Sequence, residues 1–324
     1  MDITEIAVPV SEHFERFESE FERKFHSVVP LVDKVIQYIA RKRGKRLRPL
    51  LVFLSARLHG ALTQKSMTAG IVVELFHTAT LVHDDVVDDS NLRRGSRTVN
   101  DIWDNKVSIL IGDLLFSKTL TSISELQDME AMAIISAAAE LITEGELLQI
   151  AYAENSHISE EDYFDLISKK TAALFSASCQ LGVLSVKNDE DALVRMEGFG
   201  RNYGIAFQIM DDLLDYLGDK NKMGKPTGND LRDGKVTLPL IHALETAQES
   251  DRKHIIEMLD RGVETDTEID FVVKFAVEQG GVEYAKGLVD EYTIKALNYL
   301  DAVPESDVKK SLVDLVHYSI NRDK

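Results

Sequence analysis

The sequence predicts an all-α fold, and three observations support that class. Six of the 324 residues are proline, a low count, and Ala, Leu and Ile are frequent, so long helices are expected. Strand signals are scarce, because Asp233-Gly234 is the one Asn-Gly or Asp-Gly dipeptide and it lies in a polar stretch. No linker or low-complexity segment interrupts the chain, so we expect a single domain over residues 1–324.

Helices are expected to follow one another along the chain. A charged helix is predicted within residues 1–25, and alternating charge after Asp251 indicates amphipathic helices in an outer layer. Between them, apolar stretches predict four further helices, at Val28 to Ile39, Leu50 to His59, Lys106 to Leu120 and Ala131 to Ile150.

Charge and cysteine content exclude several classes of protein. The formal net charge of -18 argues against a nucleic-acid partner. The single cysteine, Cys179, lies in an apolar run and is expected to be a buried thiol in a reducing compartment. The first residues do not resemble a secretory signal, and no apolar run reaches about 18 residues. We therefore expect a cytoplasmic protein without a transmembrane segment.

One basic block stands out in this acidic chain, residues 41–49 with the sequence Arg-Lys-Arg-Gly-Lys-Arg-Leu-Arg-Pro. It is either a solvated loop or a phosphate site. Pro49 can begin the next helix, and that geometry would aim Lys45, Arg46 and Arg48 at a common anion. Ammonium groups and guanidinium forks are the side chains that phosphate recognition uses.

The first acidic cluster lies in the run Leu-Val-His-Asp-Asp-Val-Val-Asp-Asp at residues 81–89. The largely apolar pattern that begins at Ile71 continues through Asp88 and favours a helix. On a helix, Asp84 and Asp88 would stand one turn apart with Asp85 beside them. Such a close pair repels by roughly 4 kcal/mol at an effective dielectric of about 20, so the cluster needs a counter-charge, a shifted pKa or a solvated face. Arg93 and Arg94 follow directly. They are placed either to meet a metal-held phosphate or to pair with the helix C-terminus.

A second acidic cluster repeats the D-D-x-x-D spacing at Asp211, Asp212 and Asp215, again in an apolar helical frame. Two such helices facing each other would present all of these carboxylates across one cavity. Oxygen-only clusters suit Mg²⁺, which binds a few carboxylates and completes its octahedron with water and substrate phosphates. The polar stretch Gly218 to Thr237 follows and is a candidate lid.

The two kinds of cluster predict two phosphorylated substrates that are held differently. One would be held through Mg²⁺, and the other by Lys45, Arg48 and Arg94. Metal-bound diphosphate is a good leaving group, because cations neutralise the charge that develops as the C–O bond breaks. The sequence shows no Ser-His-Asp order, no Cys/His nucleophile site and no phosphate loop of the G-x-x-x-x-G-K-[ST] type. Ionisation of an allylic diphosphate therefore fits better than phosphoryl transfer.

These motifs together resemble the trans-isoprenyl diphosphate synthases, also called polyprenyl synthetases. Besides the two acidic motifs, the chain carries G-K-R-x-R-P, R-R-G, K-T, F-Q-I-x-D-D-x-L-D-Y and G-K-x-T-L-P-L between Gly44 and Leu240 in the expected order. The resemblance implies an all-α orthogonal bundle of the isoprenoid-synthase type around a central cavity, usually a homodimer. It also implies head-to-tail condensation of isopentenyl diphosphate onto an allylic diphosphate such as farnesyl or geranyl diphosphate. Arg43 is a departure, since many members carry Gly there.

The resemblance also implies roles for individual residues. The aspartates of both motifs would bind Mg²⁺, typically three ions, and through them the allylic diphosphate: Asp84, Asp85, Asp88, Asp211, Asp212 and Asp215. Side chains expected on that same diphosphate are Arg93, Lys170, Lys235 and Lys225. Isopentenyl diphosphate would be held by Lys45, Arg48, His77 and Arg94. Thr171 and Gln208 would flank the carbocation.

Product length is set in this family by the residues four and five positions before the first motif, here Thr80 and Ala79. Both are small, which resembles the medium- and long-chain synthases that supply quinone side chains. A product of six or more isoprene units is therefore expected. Phe76, one turn before Thr80, could still close the tunnel, so a farnesyl or geranylgeranyl product stays open.

Other functions remain as alternatives. A class I terpene cyclase or a head-to-head synthase needs no isopentenyl pocket, so the basic block argues against both. A non-catalytic subunit of a heterodimeric synthase typically lacks one acidic cluster, whereas both clusters are complete here. An unrelated helical metal-binding protein would leave the basic block unexplained.

Overall fold

The computed structural model describes the chain except at residues 1, 26, 42–43, 94, 154–157, 218–227, 264 and 322–324. The described residues are mostly helical, which confirms the predicted all-α class. In chain order the helices are α1 (Ile3–Ile6), α2 (Ser11–Phe25), α3 (Pro30–Arg41), α4 (Leu47–His59), α5 (Gln64–Val87), α6 (Val99–Trp103), α7 (Asn105–Ser124), α8 (Met129–Ala153), α9 (Glu160–Ile167), α10 (Ala173–Leu184), α11 (Glu190–Leu217), α12 (Asn229–Arg232), α13 (Leu238–Thr246), α14 (Glu249–Asp260), α15 (Asp266–Glu278), α16 (Gly281–Asn298) and α17 (Asp307–Ile320).

Three short elements complete the described secondary structure. A 3₁₀ turn spans Val8–Val10, and a π-helical segment spans Ser168–Ala172. The strands β1 (Leu92–Arg93) and β2 (Ser96–Arg97) pair antiparallel, with Gly95 at a φ of 73° in the turn between them. This hairpin was not predicted, because two-residue strands are too short to show an alternating pattern.

The internal contacts divide the chain into two compact units. The first unit comprises Met1–Ser136, Ala177–Glu197 and Val303–Leu315. The second comprises Ala137–Ser176, Gly198–Ala302 and Val316–Lys324. The single domain over residues 1–324 stays a prediction.

Helix α5 is the central element of the first unit and packs against α4 and α7. Its start is fixed by Thr63, whose hydroxyl accepts from the backbone N–H groups of Lys65 and Ser66, while the Ser66 hydroxyl accepts from Thr63. The helix ends at Val87, and Asp89 adopts a left-handed φ of 47°. Most positions from Ser66 to Ala79 are buried, so the apolar pattern predicted this helix correctly.

Helix α2 is more firmly packed than its charged sequence suggests. Phe17, Phe21 and Phe25 recur every fourth residue and are almost fully buried. The rings of Phe17 and Phe21 are stacked with centroids 5.3 Å apart, and Phe25 meets Phe21 edge-on at 4.4 Å. Burying one such side chain contributes roughly 1.5–3 kcal/mol. The predicted charged helix therefore has an apolar face that anchors it to the first unit.

Helix α7 is the one helix among the described residues that is long and apolar enough to cross a membrane. Length and composition alone are weak evidence, because a core helix meets the same criterion. Ile111 and Leu115 are buried, and α7 packs against α5.

The second unit contains α13, which packs against α15 and α16, and a cluster of aromatic rings on α10 and α11, of which Phe175 and Tyr203 are fully buried. Phe175 meets Tyr203 edge-on at 5.0 Å and Phe207 at 5.0 Å. Gly204 permits this close approach, since a Cβ there would lie 2.6 Å from the Cα of Ala172. The packing fixes the part of α11 that leads into the second acidic motif.

Cys179 lies in the first unit and is fully buried. Burial raises the pKa of its thiol to about 12. The predicted buried thiol is confirmed.

Candidate active site

The two arginines of the basic block that flank Leu47 have different surroundings: Arg46 pairs with carboxylates, and the half-buried Arg48 contacts His77. Arg46, at a φ of 51°, is the N-cap of α4, and its guanidinium lies between Glu18 of α2 and Glu74 of α5. Its Nε donates to Glu18 Oε1 at 2.8 Å, and its Nη1 donates to Glu74 Oε1 at 2.5 Å. The prediction that Arg46 joins a common anion site is therefore wrong, because these two carboxylates already neutralise its charge.

Arg48 and His77 are brought together by the packing of α4 on α5. The Nη1 of Arg48 lies 3.1 Å from the Nε2 of His77. A guanidinium has no acceptor, so His77 accepts through Nε2 and carries its proton on Nδ1. Lys45 lies exposed, three residues before Arg48. Arg48 and His77, two of the predicted isopentenyl diphosphate ligands, are therefore in contact. Arg94, a third, lies outside the described residues.

The first acidic motif sits where α5 ends. Asp84 and Asp85 occupy its last turn, and Asp88 caps it, with the Asp88 N–H donating to the Asp84 carbonyl at 2.8 Å. The predicted one-turn spacing is confirmed. Asp85 is buried, and the Nε of Arg93 donates to its Oδ1 at 2.6 Å. Arg93 thus supplies the counter-charge that the clustered carboxylates require.

Asn100 is a residue of this region that the sequence did not reveal. Its Nδ2 donates to the backbone carbonyls of Asp85 at 3.2 Å and Ser90 at 3.1 Å. The hydroxyl of Thr98 also donates to the Ser90 carbonyl, at 2.7 Å. The Asp85 carbonyl also accepts from the Ser90 N–H at 2.9 Å, so these bonds tie the last turn of α5 to the segment that follows it and fix the direction in which the chain leaves the helix.

The second acidic motif is organised around Asp212, which is buried near the end of α11. Its Oδ2 accepts from the hydroxyl of Tyr163 at 2.6 Å, and its Oδ1 accepts from Nε2 of Gln208 at 2.7 Å. The hydroxyl of Thr171 donates to Oε1 of Gln208 at 2.6 Å. Gln208 and Thr171 were predicted site residues, and the structure joins them to Asp212. Tyr163 was not predicted.

Burial and neighbouring charge act strongly on this carboxyl group. Desolvation, followed by the negative charge of Asp230, raises the pKa of Asp212 to about 8, although the bonds from Tyr163 and Gln208 oppose the rise. A carboxylate in such a place gains from a bound cation, which favours its ionised form.

Asp215 is engaged with the backbone of α12. Its Oδ1 accepts from the Asn229 N–H at 3.0 Å, and its Oδ2 accepts from the Asp230 N–H at 2.9 Å. Burial and the charge of Asp215 raise the pKa of Asp230 to about 7, and the Lys235 charge opposes this. Lys235, a predicted site residue, therefore lies near this carboxylate. Asp230 was not predicted, because nothing in the local pattern separates it from other loop aspartates.

Lys170 lies in the π-helical segment, a type of irregularity that is frequent at functional sites. Its Nζ donates to Glu146 Oε2 at 2.7 Å and to Gln149 Oε1 at 2.9 Å, both on α8. These contacts join the π-helical segment to α8. Lys225, and residues 218–227 of the predicted lid, lie outside the described residues.

The donor set fits Mg²⁺ held jointly with a diphosphate. Among the described residues, no group of three or more His, Cys, Asp or Glu side chains is arranged to hold a metal ion. Mg²⁺ commonly binds one or two carboxylates and takes its other ligands from water and substrate phosphates. The donors in both motifs are oxygen atoms, and the buried Asp212 carboxylate favours a cation beside it.

Comparison with known proteins decides the family. Residues 29–276 match the polyprenyl synthetase family. The chain belongs to this family. It is 33% identical over 323 residues to an octaprenyl diphosphate synthase from Haemophilus influenzae, covering 100% of this chain and 98% of that protein. It is also 35% identical to a geranylgeranyl diphosphate synthase from Sulfolobus acidocaldarius, covering 91% and 92% of the two chains. This polyprenyl synthetase is thus a prenyltransferase, a trans-polyprenyl diphosphate synthase.

The solved structures agree with this assignment. A polyprenyl synthase from Caulobacter crescentus, determined with calcium and isoprenyl diphosphate, superposes with a TM-score of 0.93 at 31% identity, covering 100% of this chain and 98% of that one. The predicted isoprenoid-synthase type of all-α fold is therefore confirmed.

Proposed function

We propose that this polyprenyl synthetase condenses isopentenyl diphosphate head-to-tail onto an allylic diphosphate, farnesyl or geranyl diphosphate, with Mg²⁺ assisting loss of the diphosphate. One observation carries the proposal. Helix α5 holds His77, bonded to Arg48, and the first acidic motif seven residues later. A basic anion site and a carboxylate metal site on the same helix suit two diphosphates bound in different ways.

The allylic diphosphate is assigned to the carboxylates and their cations. The metal ligands would be Asp84, Asp85, Asp88, Asp211, Asp212 and Asp215, with three Mg²⁺ ions as the proposed number. Bound Mg²⁺ supplies neutralisation of the negative charge on the leaving diphosphate. Arg93, beside Asp85, would add a guanidinium donor to the same group, and Lys170, Lys225 and Lys235 would add ammonium groups.

Isopentenyl diphosphate is assigned to the basic site. Arg48 would present its guanidinium fork to the diphosphate, His77 would hold that fork in place, and Lys45 would contribute a flexible charge. Thr171 and Gln208 carry polar oxygens that can steady positive charge on the allylic carbon as the bond breaks.

The proposed product has six or more isoprene units, because Ala79 and Thr80 leave space where bulky residues would end growth. Ala79 is buried, and the Thr80 hydroxyl turns back to the His77 carbonyl at 2.9 Å. A geranylgeranyl product is the second candidate, and a specific contact favours it. Phe76 is buried on α5, and its ring centroid lies 6.0 Å from that of Phe116 on α7. This aromatic pair would block the tunnel and end chain growth at a shorter product.

A homodimer is also proposed, with α7 as the interface. Ile109, Leu110 and Leu120 are 45%, 67% and 48% exposed. Their spacing places them on one side of the helix, and an apolar patch of this kind commonly marks an association surface.

A cytoplasmic location is also proposed, since the lone buried thiol of Cys179 suits a reducing compartment.

Product analysis tests the function. The purified protein is incubated with Mg²⁺, farnesyl diphosphate and labelled isopentenyl diphosphate, and the extracted products are sized by chromatography. We expect a ladder of elongated products. Asp84→Asn should reduce incorporation on the order of 100-fold, whereas Asp191→Asn, at an exposed position of α11, should not.

Two results would overturn the proposal. Cyclised farnesyl products without incorporation of label would assign the protein to the terpene cyclases. Absence of any turnover would favour a non-catalytic subunit.

A further inference from the structure

Four side chains of the second unit are hydrogen-bonded in series. Tyr163 donates to Asp212 at 2.6 Å, Gln208 donates to the other oxygen of Asp212 at 2.7 Å, and Thr171 donates to Gln208 at 2.6 Å. The residues come from α9, α11 and the π-helical segment. Three separate stretches of chain are therefore fixed to one carboxylate.

The chemistry of these groups gives the series a direction. A bound cation favours the ionised form of Asp212, and an ionised carboxylate only accepts, so Tyr163 and the amide nitrogen of Gln208 donate to it. The Gln208 carbonyl oxygen is then left to accept the hydroxyl proton of Thr171. Because the Thr171 hydroxyl donates its proton to Gln208, its oxygen lone pairs can face the positive charge of a carbocation and stabilise it.

Tyr163 is held rigidly at the far end of the series. It is 2% exposed, and the helix that carries it begins with a capping box between Ser159 and Asp162. Its ring also meets Phe164 edge-on at 5.6 Å.

We propose that Tyr163 is a positioning residue, which holds Asp212 for a divalent cation and, through Gln208, orients the Thr171 hydroxyl. This inference rests on the proposed metal binding by Asp212 and, for the role of Thr171, on the proposed condensation. Without the Tyr163 hydroxyl, one oxygen of the buried Asp212 loses its donor, and the carboxylate can turn away from the ligand geometry. A bond from a neutral donor to a charged group is among the stronger hydrogen bonds in proteins.

The test compares Tyr163→Phe with Tyr203→Phe. Tyr203 is also fully buried in the second unit, but its hydroxyl is bonded to Ser319 at 2.5 Å rather than to a carboxylate of the motifs. Both variants lose one buried hydroxyl, so both should lose similar thermal stability. Mn²⁺ binding in the presence of inorganic diphosphate, followed by electron paramagnetic resonance, should weaken about 10-fold in Tyr163→Phe. In Tyr203→Phe it should stay at the wild-type value.

A double-mutant cycle shows whether Tyr163 acts through Asp212. Tyr163→Phe should change Mn²⁺ affinity little when it is added to Asp212→Asn, because the acceptor it serves is already altered. In the condensation assay, Tyr163→Phe should lower kcat about 10-fold and leave the KM for isopentenyl diphosphate unchanged.

The outcomes separate this inference from the proposed function. Equal Mn²⁺ affinities in Tyr163→Phe and Tyr203→Phe, or full additivity with Asp212→Asn, would overturn the positioning role. A wild-type protein that binds Mn²⁺ in a Tyr163-dependent manner but condenses nothing would overturn the function and leave the positioning of Asp212 supported.

Discussion

The Nη1 of Arg48 lies 3.1 Å from the Nε2 of His77. Because arginine can only donate, this contact assigns the Nδ1–H tautomer to His77 and fixes the plane of the guanidinium. In the proposed function, Arg48 and Lys45 would meet the charge of the diphosphate, and His77 would orient the guanidinium of Arg48.

The first prediction concerns that fork. Arg48→Lys keeps the charge but loses the planar, bidentate donor, so the KM for isopentenyl diphosphate should rise about 10-fold. The KM for the allylic substrate should change little. Steady-state kinetics with each substrate varied in turn measure both values. Arg57→Lys, at an exposed position of the same helix, is the matched control. An equal rise in both KM values would contradict a separate isopentenyl site.

The second prediction is that Arg46, although it lies in the same block, contributes to stability. Its side chain is 10% exposed and paired with Glu18 and Glu74. Burial opposes its charge, but the two carboxylates outweigh burial and raise the pKa of Arg46. Arg46→Met leaves two carboxylates without their partner, which typically costs about 3–5 kcal/mol.

The midpoint of urea denaturation measures this effect. Arg23→Met removes a 71%-exposed arginine that pairs with Glu20 on the same helix, and it should cost less than about 1 kcal/mol. If Arg46→Met unfolded at the wild-type midpoint while the KM for isopentenyl diphosphate rose, Arg46 would be a ligand after all.

The contrast between Arg46 and Arg48 shows where sequence reasoning works. The D-D-x-x-D spacing of Asp84 and Asp88 follows from the helical repeat alone, so the structure agrees with it. The structural role of Arg46 depends on its ion pairs with Glu18 and Glu74, each 28 residues away in the sequence, and no local sequence pattern reveals such partners. Tyr163 was missed for the same reason, since Asp212 lies 49 residues further along the chain.

The third prediction concerns product length. Phe76 and Phe116 form a ring pair between α5 and α7, so Phe116→Ala should shift the products toward longer chains. Phe116 is 38% exposed, so this change threatens the fold less than loss of the buried Phe76, which would cost about 3–5 kcal/mol. Ala79→Phe should narrow the tunnel and shift the products toward shorter chains.

Chromatography of the dephosphorylated products reads both changes. Phe271→Ala removes a 49%-exposed phenylalanine of α15 and should leave the distribution as it is. Unchanged products in Phe116→Ala and Ala79→Phe would place the end of the tunnel elsewhere.

The fourth prediction concerns α7. Replacing Leu110 and Leu120, both well exposed, with glutamate introduces charges on a face that we assign to a dimer. Buried unpaired charge is strongly unfavourable, so Leu110→Glu combined with Leu120→Glu should sediment as a monomer. Val194→Glu, at an exposed apolar position of α11, should remain dimeric. A wild-type protein that sediments as a monomer would rule the homodimer out.

The fifth prediction concerns stability at mildly acidic pH. His59, at the end of α4, is half-buried, and its Nδ1 lies 2.8 Å from the Ser55 carbonyl. Burial lowers the pKa of His59, and the positive charges of Arg195 and Lys187 act in the same direction, whereas the Ser55 bond and Asp189 oppose it. The folded protein therefore favours neutral His59 more than the unfolded chain does.

The sign of the pH dependence follows from this lowered pKa. Above an unfolded-state pKa of about 6.5, His59 is neutral in both states and costs nothing. As the pH falls below that value, the unfolded chain takes up a proton that the folded protein resists, and the free energy of unfolding declines until the folded-state pKa is passed. His59→Asn keeps an N–H donor near Ser55 but removes the titration, so its urea midpoint should fall less between about pH 6.5 and 5. His254→Asn, at an exposed position of α14, should follow the wild type. If His59→Asn also followed the wild type across that range, the acid sensitivity would belong to other groups.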